Sequence, residues 1–249
     1  MRIGTWNLKL CPPTTSDRGQ AIASWLDDQA ADLWLLTEVH RDWDAGGRQF
    51  VVSPPRGGSP AEKRWAGIAT ALPLGELRRA GTEAHAGEEG LCLARVELGG
   101  PVPSSLLVAC SVLPWKGAGQ YWPGLPTGQV AEFCHVLDHH VSRIVDERLP
   151  GEPLIWGGDF NQQLTAPFWF TTEAGAAALR SAFDGLGLVA LTEKAQHLNG
   201  TSCAIDHLAV SQELLGDEPV ASVHRPVWDG GQLSDHAAYT ADIRLPTPL

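Results

Sequence analysis

Five short apolar runs, spread between residue 2 and residue 236, each stop on an acid, an amide or an imidazole. Arg2-Ile3-Gly4-Thr5-Trp6-Asn7 ends on an amide, and Asp32-Leu33-Trp34-Leu35-Leu36-Thr37-Glu38 ends on a carboxylate. Leu154–Trp156 leads into Gly157-Gly158-Asp159-Phe160-Asn161, Ile205-Asp206-His207 lies on another apolar run, and Ser234-Asp235-His236 stands near the end of the chain. Any one of these could be an ordinary turn, because Asp, Asn and Ser are residues that turns prefer. Together, in order and each at a strand boundary, they point to metal-ligating and proton-transfer groups gathered at one edge of a sheet. Such a cluster suits water attack on a phosphate ester, which needs a hard cation, a base and an oriented water.

The patterning between these motifs predicts many strands and few helices. Strands are expected at 2–7, 32–38, 49–53, 66–72, 91–98, 106–113, 154–156, 204–210, 220–224 and 238–243. Helices are expected at 17–30, capped by Ser16 or Asp17 and striped by Ala21, Ile22, Trp25 and Leu26, and at 127–148 and 173–186. Adjacent strands are often joined without a helix. Two packed mixed sheets flanked by helices fit that order better than one doubly wound sheet. The motifs occupy both ends and the middle of the chain, so one domain over residues 1–249 is expected.

The ordered set Thr5-Trp6-Asn7, Thr37-Glu38-Val39, Gly158-Asp159-Phe160-Asn161, Ile205-Asp206-His207 and Ser234-Asp235-His236 resembles the endonuclease/exonuclease/phosphatase superfamily. The resemblance runs from residue 3 to residue 236 and implies the DNase I-like fold, an α/β four-layer sandwich. It also implies a hydrolase that takes Mg2+ or Mn2+. Glu38 is then the metal carboxylate, Asn7 supplies an oxygen or holds a metal-bound water, and Asp235 is a ligand or supports such a water; magnesium keeps several waters, so few protein ligands suffice. His236 is the candidate general base, since imidazole titrates near neutrality, and Asp206 orients it. Asp159 orients the attacking water or assists the leaving oxygen, and Asn161 donates to a phosphate oxygen. Where many relatives carry His or Tyr before a nearby proline, this chain has Ser111, within Cys110-Ser111-Val112-Leu113-Pro114. A serine there could contact phosphate but would be a poor leaving-group acid.

The remaining expectations come from composition. The formal net charge is −11, but residues 41–80 carry seven Lys or Arg against four Asp or Glu. That segment, beginning at Arg41, is either a basic rim beside the site or a solvated surface. Nucleic-acid phosphodiesters are the expected substrate; a phospholipid head group, an inositol phosphate or another small phosphoester is the alternative, and a silent binding protein a third. Trp115 and Trp122 could form a stacking platform or an apolar wall. His207 is expected to pack on the far side of its strand. His135 and His139 share a helix face but lack the His-Glu-x-x-His arrangement. Five widely spaced cysteines (Cys11, Cys92, Cys110, Cys134, Cys203) suggest free buried thiols rather than a disulfide framework. No apolar run reaches the ~20 residues of a membrane span, and a strand beginning at residue 2 leaves no room for a signal peptide. A cytoplasmic protein without an obligate protein partner is therefore expected.

Overall fold

The computed structural model describes residues 1–10, 15–57, 59–78, 85–99, 105–216 and 220–245. Its first sheet contains β1 (Arg2–Asn7), β2 (Leu33–His40), β3 (Gln49–Val52), β4 (Lys63–Thr70), β11 (Ser222–His224) and β14 (Ala238–Asp242). The strand order is β11-β14-β1-β2-β4-β3. The second sheet contains β5 (Leu74–Gly75), β6 (Leu91–Glu97), β7 (Ser105–Val112), β8 (Leu154–Asp159), β9 (Leu188–Ala190) and β10 (Asp206–Ser211), in the order β5-β6-β7-β8-β10-β9. A small hairpin, β12 (Val227–Trp228) with β13 (Gly231–Gln232), stands apart.

Both sheets are mixed and pack face to face, because their strands alternate in what they bury. In β1 and β2, Ile3, Leu33 and Leu35 meet Val108, Cys110, Ile155 and Leu208 of the second sheet in one core. The opposite faces present Trp6, Trp34 and Leu36 to Ile22 and Leu26 of helix α1 (Asp17–Asp28). On the outer face of the second sheet, Leu107, Ala109 and Trp156 pack beneath α2 (Gln129–Glu147) and α3 (Glu173–Leu186), meeting Phe133, Val136, Leu179 and Phe183. Helix, sheet, sheet and helix pair make the expected four layers.

The boundaries differ from the sequence expectation in informative places. β8 continues through Gly157 and Gly158 to Asp159, although two glycines suggest a break. Gly158 takes a φ of +130°, and a Cβ there would lie 2.1 Å from the Ser111 carbonyl oxygen. The glycines thus serve close approach between strands, and the strand survives them. Strands β5 and β9 and the β12–β13 hairpin went unforeseen, since two or three residues are too few to show a period. Ser16 caps α1, accepting from Gly19 N at 3.1 Å. Among the described residues, no helix is long and apolar enough to cross a membrane.

Candidate active site

Strand direction alone brings the motif residues together. β1 runs parallel to β2, so Asn7 and Glu38 leave at the same edge. β14 runs antiparallel to β1, which sets its first turn, and His236 just before it, beside the end of β1. In the second sheet, β10 is antiparallel to β8, and Asp206 stands directly opposite Asp159. The two sheets share this edge, and a cleft of about 380 Å³ opens there, lined by Glu38, Asp159, Asn161 and His236.

Two of these residues hold the left-handed backbone conformation: Glu38 at φ +50° and Asn161 at φ +49°. For a residue such as glutamate this costs roughly 1–2 kcal/mol. At Glu38 the β2–β4 ladder passes from the pair Thr37–Ala66 to the pair Val39–Arg64, leaving Glu38 out of the register. The carboxylate is thereby turned to the cleft instead of alternating into either core.

Asn7 is 1% exposed and ties the carboxylates together. Its Nδ2 donates to Asp159 Oδ2 at 3.0 Å and to Glu38 Oε1 at 3.3 Å, while its Oδ1 accepts from Lys9 N at 2.8 Å. Asn7 therefore presents N–H groups, not an oxygen, to the acidic side. Asp159 Oδ1 accepts from Asn161 N at 3.0 Å, and Asn161 Nδ2 donates to the Leu113 carbonyl at 3.0 Å. His236 Nδ1 lies 2.8 Å from Asp206 Oδ2, and Asp206 is fully buried. Trp6 Nε1 donates to the His236 carbonyl at 3.2 Å and fixes the backbone on the other side.

Charge is unbalanced here. Burial, followed by the charges of Asp206 and Glu38, raises the Asp159 carboxyl to about 7. Burial pulls the His236 imidazole down, but the carboxylates of Asp206, Asp159 and Asp235 outweigh it and raise it to about 10. An oxygen-rich site that pulls protons onto its own groups is one that a divalent cation would neutralise, and carboxylate and amide groups suit magnesium or manganese. The residues present fit such an ion, with Glu38 and Asp159 as the carboxylates nearest one another across Asn7.

Several sequence expectations need correction. Ser111 does not line the cleft. It is fully buried on the outer face of β7, where Trp156 Nε1 donates to its Oγ at 2.8 Å and His140 Nδ1 lies at 3.1 Å. Side chains alternate along a strand, so the neighbouring Val112 faces the cleft, paired in register with Asp159. Arg41 is exposed, pairs with Asp42 at 3.0 Å, and is not among the cleft-lining residues. Asp235 is not among the cleft-lining residues; its carboxylate lies 3.2 Å from Lys9 Nζ. Trp115 does line the cleft, whereas Trp122 is core at 1% exposure.

Other placements follow the local packing. His207 is buried behind the site, with Nε2 2.8 Å from the Gln162 carbonyl and Nδ1 3.0 Å from Thr192 Oγ1. His139 meets Glu88, and His140 lies against Ser111 and the Gly87 carbonyl. Cys92, Cys110, Cys134 and Cys203 are free thiols, the last two only half-buried; Cys11 falls outside the described residues.

Sequence reasoning missed Arg56, Trp65 and Tyr121, which complete the cleft. The Arg56 guanidinium lies 3.3 Å over the Trp65 ring, and its Nε and Nη1 are buried without a hydrogen-bond partner. Burial lowers its pKa, and the Glu38 charge acts against that. Its only sequence signal was membership of the basic segment 41–80. A half-buried His197 also stands close, its ring centroid 5.3 Å from that of His236.

No protein-family model and no curated protein matches the sequence. Solved structures match the fold. An AP endonuclease from Archaeoglobus fulgidus aligns at a TM-score of 0.68 and 14% identity, covering 98% of this chain and 100% of that one. D. rerio TDP2, complexed with single strand DNA product, aligns at 0.63 and 16% identity, covering 96% and 97%. An endonuclease/exonuclease/phosphatase from Beutenbergia cavernae aligns at 0.62 and 15% identity, covering 98% and 71%. These likenesses show the fold: a DNase I-like α/β sandwich, as in proteins of the endonuclease/exonuclease/phosphatase type.

Proposed function

We propose that this chain, acting as one domain, is a divalent-cation-dependent phosphodiesterase whose substrate is nucleic acid and whose general base is His236. The observation that carries this is the His236–Asp206 pair, bonded at 2.8 Å, opening onto the same cleft as Glu38, Asp159 and Asn161. With the carboxylate charge that raises it offset by a bound cation, His236 would keep Nδ1 on Asp206 and have Nε2 left to accept a proton from water. Asp206 fixes the tautomer and stabilises the imidazolium that results, as in a hydrolytic triad with water in place of serine.

Glu38, with Asp159 beside it and Asn7 orienting both, would hold the Mg2+ or Mn2+, and Asp235 would support its waters. When bound, such an ion supplies positive charge to the phosphate oxygens and the developing leaving oxygen. The chain's own groups do the rest. Asp159, whose two oxygens already accept from Asn7 and Asn161, aligns the attacking water through a remaining lone pair, and His236 takes that water's proton as the new P–O bond forms. Arg56, lining the cleft over Trp65, brings a guanidinium charge to a non-bridging oxygen. As the P–O bond to the leaving group breaks, that oxygen takes its proton from solvent, because Val112 offers none from β7. Trp115 and Tyr121, backed by the buried Trp65, give the cleft an aromatic wall on which bases can stack, and this favours nucleic acid over a small phosphoester.

The test is hydrolysis of single-stranded DNA, duplex DNA, RNA, an inositol phosphate and bis(p-nitrophenyl) phosphate, with Mg2+, Mn2+ or chelator. Cleavage of a nucleic acid that stops with chelator and with His236→Ala is expected. Turnover of the inositol phosphate alone would move the substrate to the small-ester class. Inactivity on every ester with both metals would remove the hydrolase assignment.

A further inference from the structure

Outside the oxygen donors around Glu38, a second group of donors has a different chemistry. His197, Asp206 and His236 each offer one ligand atom, and those atoms all lie within 4.8 Å of one another. Asp206 is fully buried, and while its Oδ2 meets His236 Nδ1, its Oδ1 has no hydrogen-bond partner. A buried carboxylate oxygen without a partner costs free energy unless something positive or protic reaches it.

His197 is held in place. Its N–H donates to the Ser202 carbonyl at 2.8 Å, Gly200 N returns to the His197 carbonyl at 2.9 Å, and Tyr239 donates to the Gln196 carbonyl at 2.9 Å. Two imidazoles with one carboxylate form a donor set that magnesium disfavours and zinc favours. Tetrahedral zinc, with bonds of about 2.0–2.1 Å, holds its donors about 3.3 Å apart. Contraction from the present spacing is within the reach of a side-chain rotation at half-buried His197.

We propose that His197, Asp206 and His236 form a separate inhibitory site for a borderline transition cation, with Zn2+ as its occupant. The cation replaces the proton between His236 and Asp206; from the imidazolium that proton leaves to solvent, and from the neutral ring it moves to Nε2. With the metal on Nδ1, the remaining ring proton of His236 resides on Nε2, which then cannot accept one from water. The inhibitory half of this inference rests on His236 being the base of the proposed hydrolysis; the binding half does not.

Binding is therefore measured first and without substrate. Co2+ is titrated into the metal-free protein as a spectroscopic stand-in for Zn2+, in excess Mg2+, and Zn2+ is then used to displace it. A tetrahedral visible band at one equivalent, bleached by Zn2+, is the expected result. His197→Ala should weaken Zn2+ binding by at least tenfold, since even outer partners of a metal site are worth about 10–100-fold. His197→Asn, checked for folding by circular dichroism, guards against a loop collapse. Zn2+ affinity unchanged in both variants, or Zn2+ displaced by Mg2+ and lost in Glu38→Gln, would overturn the site.

Inhibition is then read as the ratio of activity with and without Zn2+ within each variant. Wild type should be inhibited, and His197→Ala should need at least about tenfold more Zn2+ for the same ratio. Zinc bound at these residues with full activity retained would overturn the inhibitory role. Zinc binding without hydrolysis of any ester would instead reject the hydrolase assignment and leave the metal site standing.

Discussion

Replacing Ser111 by alanine separates structure from chemistry at this site. His140 Nε2 lies 2.9 Å from the Gly87 carbonyl, so that nitrogen carries the proton. Burial lowers the His140 pKa to about 3, which keeps the ring neutral and makes Nδ1 an acceptor. The Ser111 hydroxyl accordingly donates to His140 Nδ1 at 3.1 Å and accepts from Trp156 Nε1 at 2.8 Å. Ser111→Ala orphans one buried donor and one buried acceptor at once. Each costs about 1–3 kcal/mol, so the loss is roughly 2–6 kcal/mol, reduced if the helix relaxes toward the strand. For a protein of this size each kcal/mol is worth about 2–4 °C in Tm. Urea unfolding of the metal-free protein measures the loss, and hydrolysis of bis(p-nitrophenyl) phosphate below the transition measures the site. Stability should fall while kcat/KM stays within about twofold, well short of the ~10²-fold expected from deleting an acid–base group. A large loss of turnover with unchanged stability would mean that the hydroxyl reaches the cleft, and the placement of β7 would be wrong.

His236→Ala should abolish turnover, by ~10²-fold or more for lost general-base catalysis, yet still bind Mn2+ in an equilibrium titration. Glu38→Gln should instead weaken the Mn2+ isotherm and shift the metal dependence of activity to higher concentration; the reverse pattern would exchange the two roles. Arg56→Ala should raise KM about tenfold or more, the loss of a charge-assisted bond worth about 1.5–3 kcal/mol, and this is checked by steady-state kinetics at low and high salt. An unchanged KM would take Arg56 off the phosphate. In the metal-free protein His236 binds its proton more tightly when folded, at about 10 against 6.5. Its contribution is therefore complete below pH 6.5 and is lost as pH rises toward 10. Asp159, raised to about 7 from 3.8, gives the same sign between those values. The wild-type urea midpoint should thus fall from pH 6.5 to pH 10, and most of that fall should be lost in His236→Ala.

Where the sequence was legible, the cause was a coincidence of two local signals. A run such as Leu33–Leu36 or Leu154–Trp156 reads as a buried strand, and a polar group at its end reads as the point where that strand meets solvent. Parallel pairing of β1 with β2 and antiparallel pairing of β10 with β8 then place those ends together without any further instruction. Arg56 carried no comparable signal. It lies in an irregular segment rich in Gly and Pro, and its position depends on stacking over Trp65, which neither residue announces in the sequence.

Ser111 shows a different limit. The motif located the strand correctly and missed the face, because hydrophobicity does not distinguish the two faces of a strand buried on both. Cys110 faces the core between the sheets, Ser111 faces α2, and Val112 meets the cleft where β7 ends beside Asp159. The hydroxyl is buried beneath α2, where its two partners are His140 and Trp156. Those three polar groups, anchored to the Gly87 carbonyl through His140, form one unit among the helix contacts, and Gly158 lets β8 come close to β7 beside it. On its β7 side the same register sets Asp159 beside Val112 and not beside a proton donor. A β7 edge without a proton donor thus leaves leaving-group chemistry to solvent, and the cleft should discriminate between substrates by the acidity of their leaving groups. Val112→His puts an imidazole at that edge. It should accelerate esters with poor leaving groups and leave nitrophenyl esters nearly unchanged, since only the former need a proton as the bond breaks.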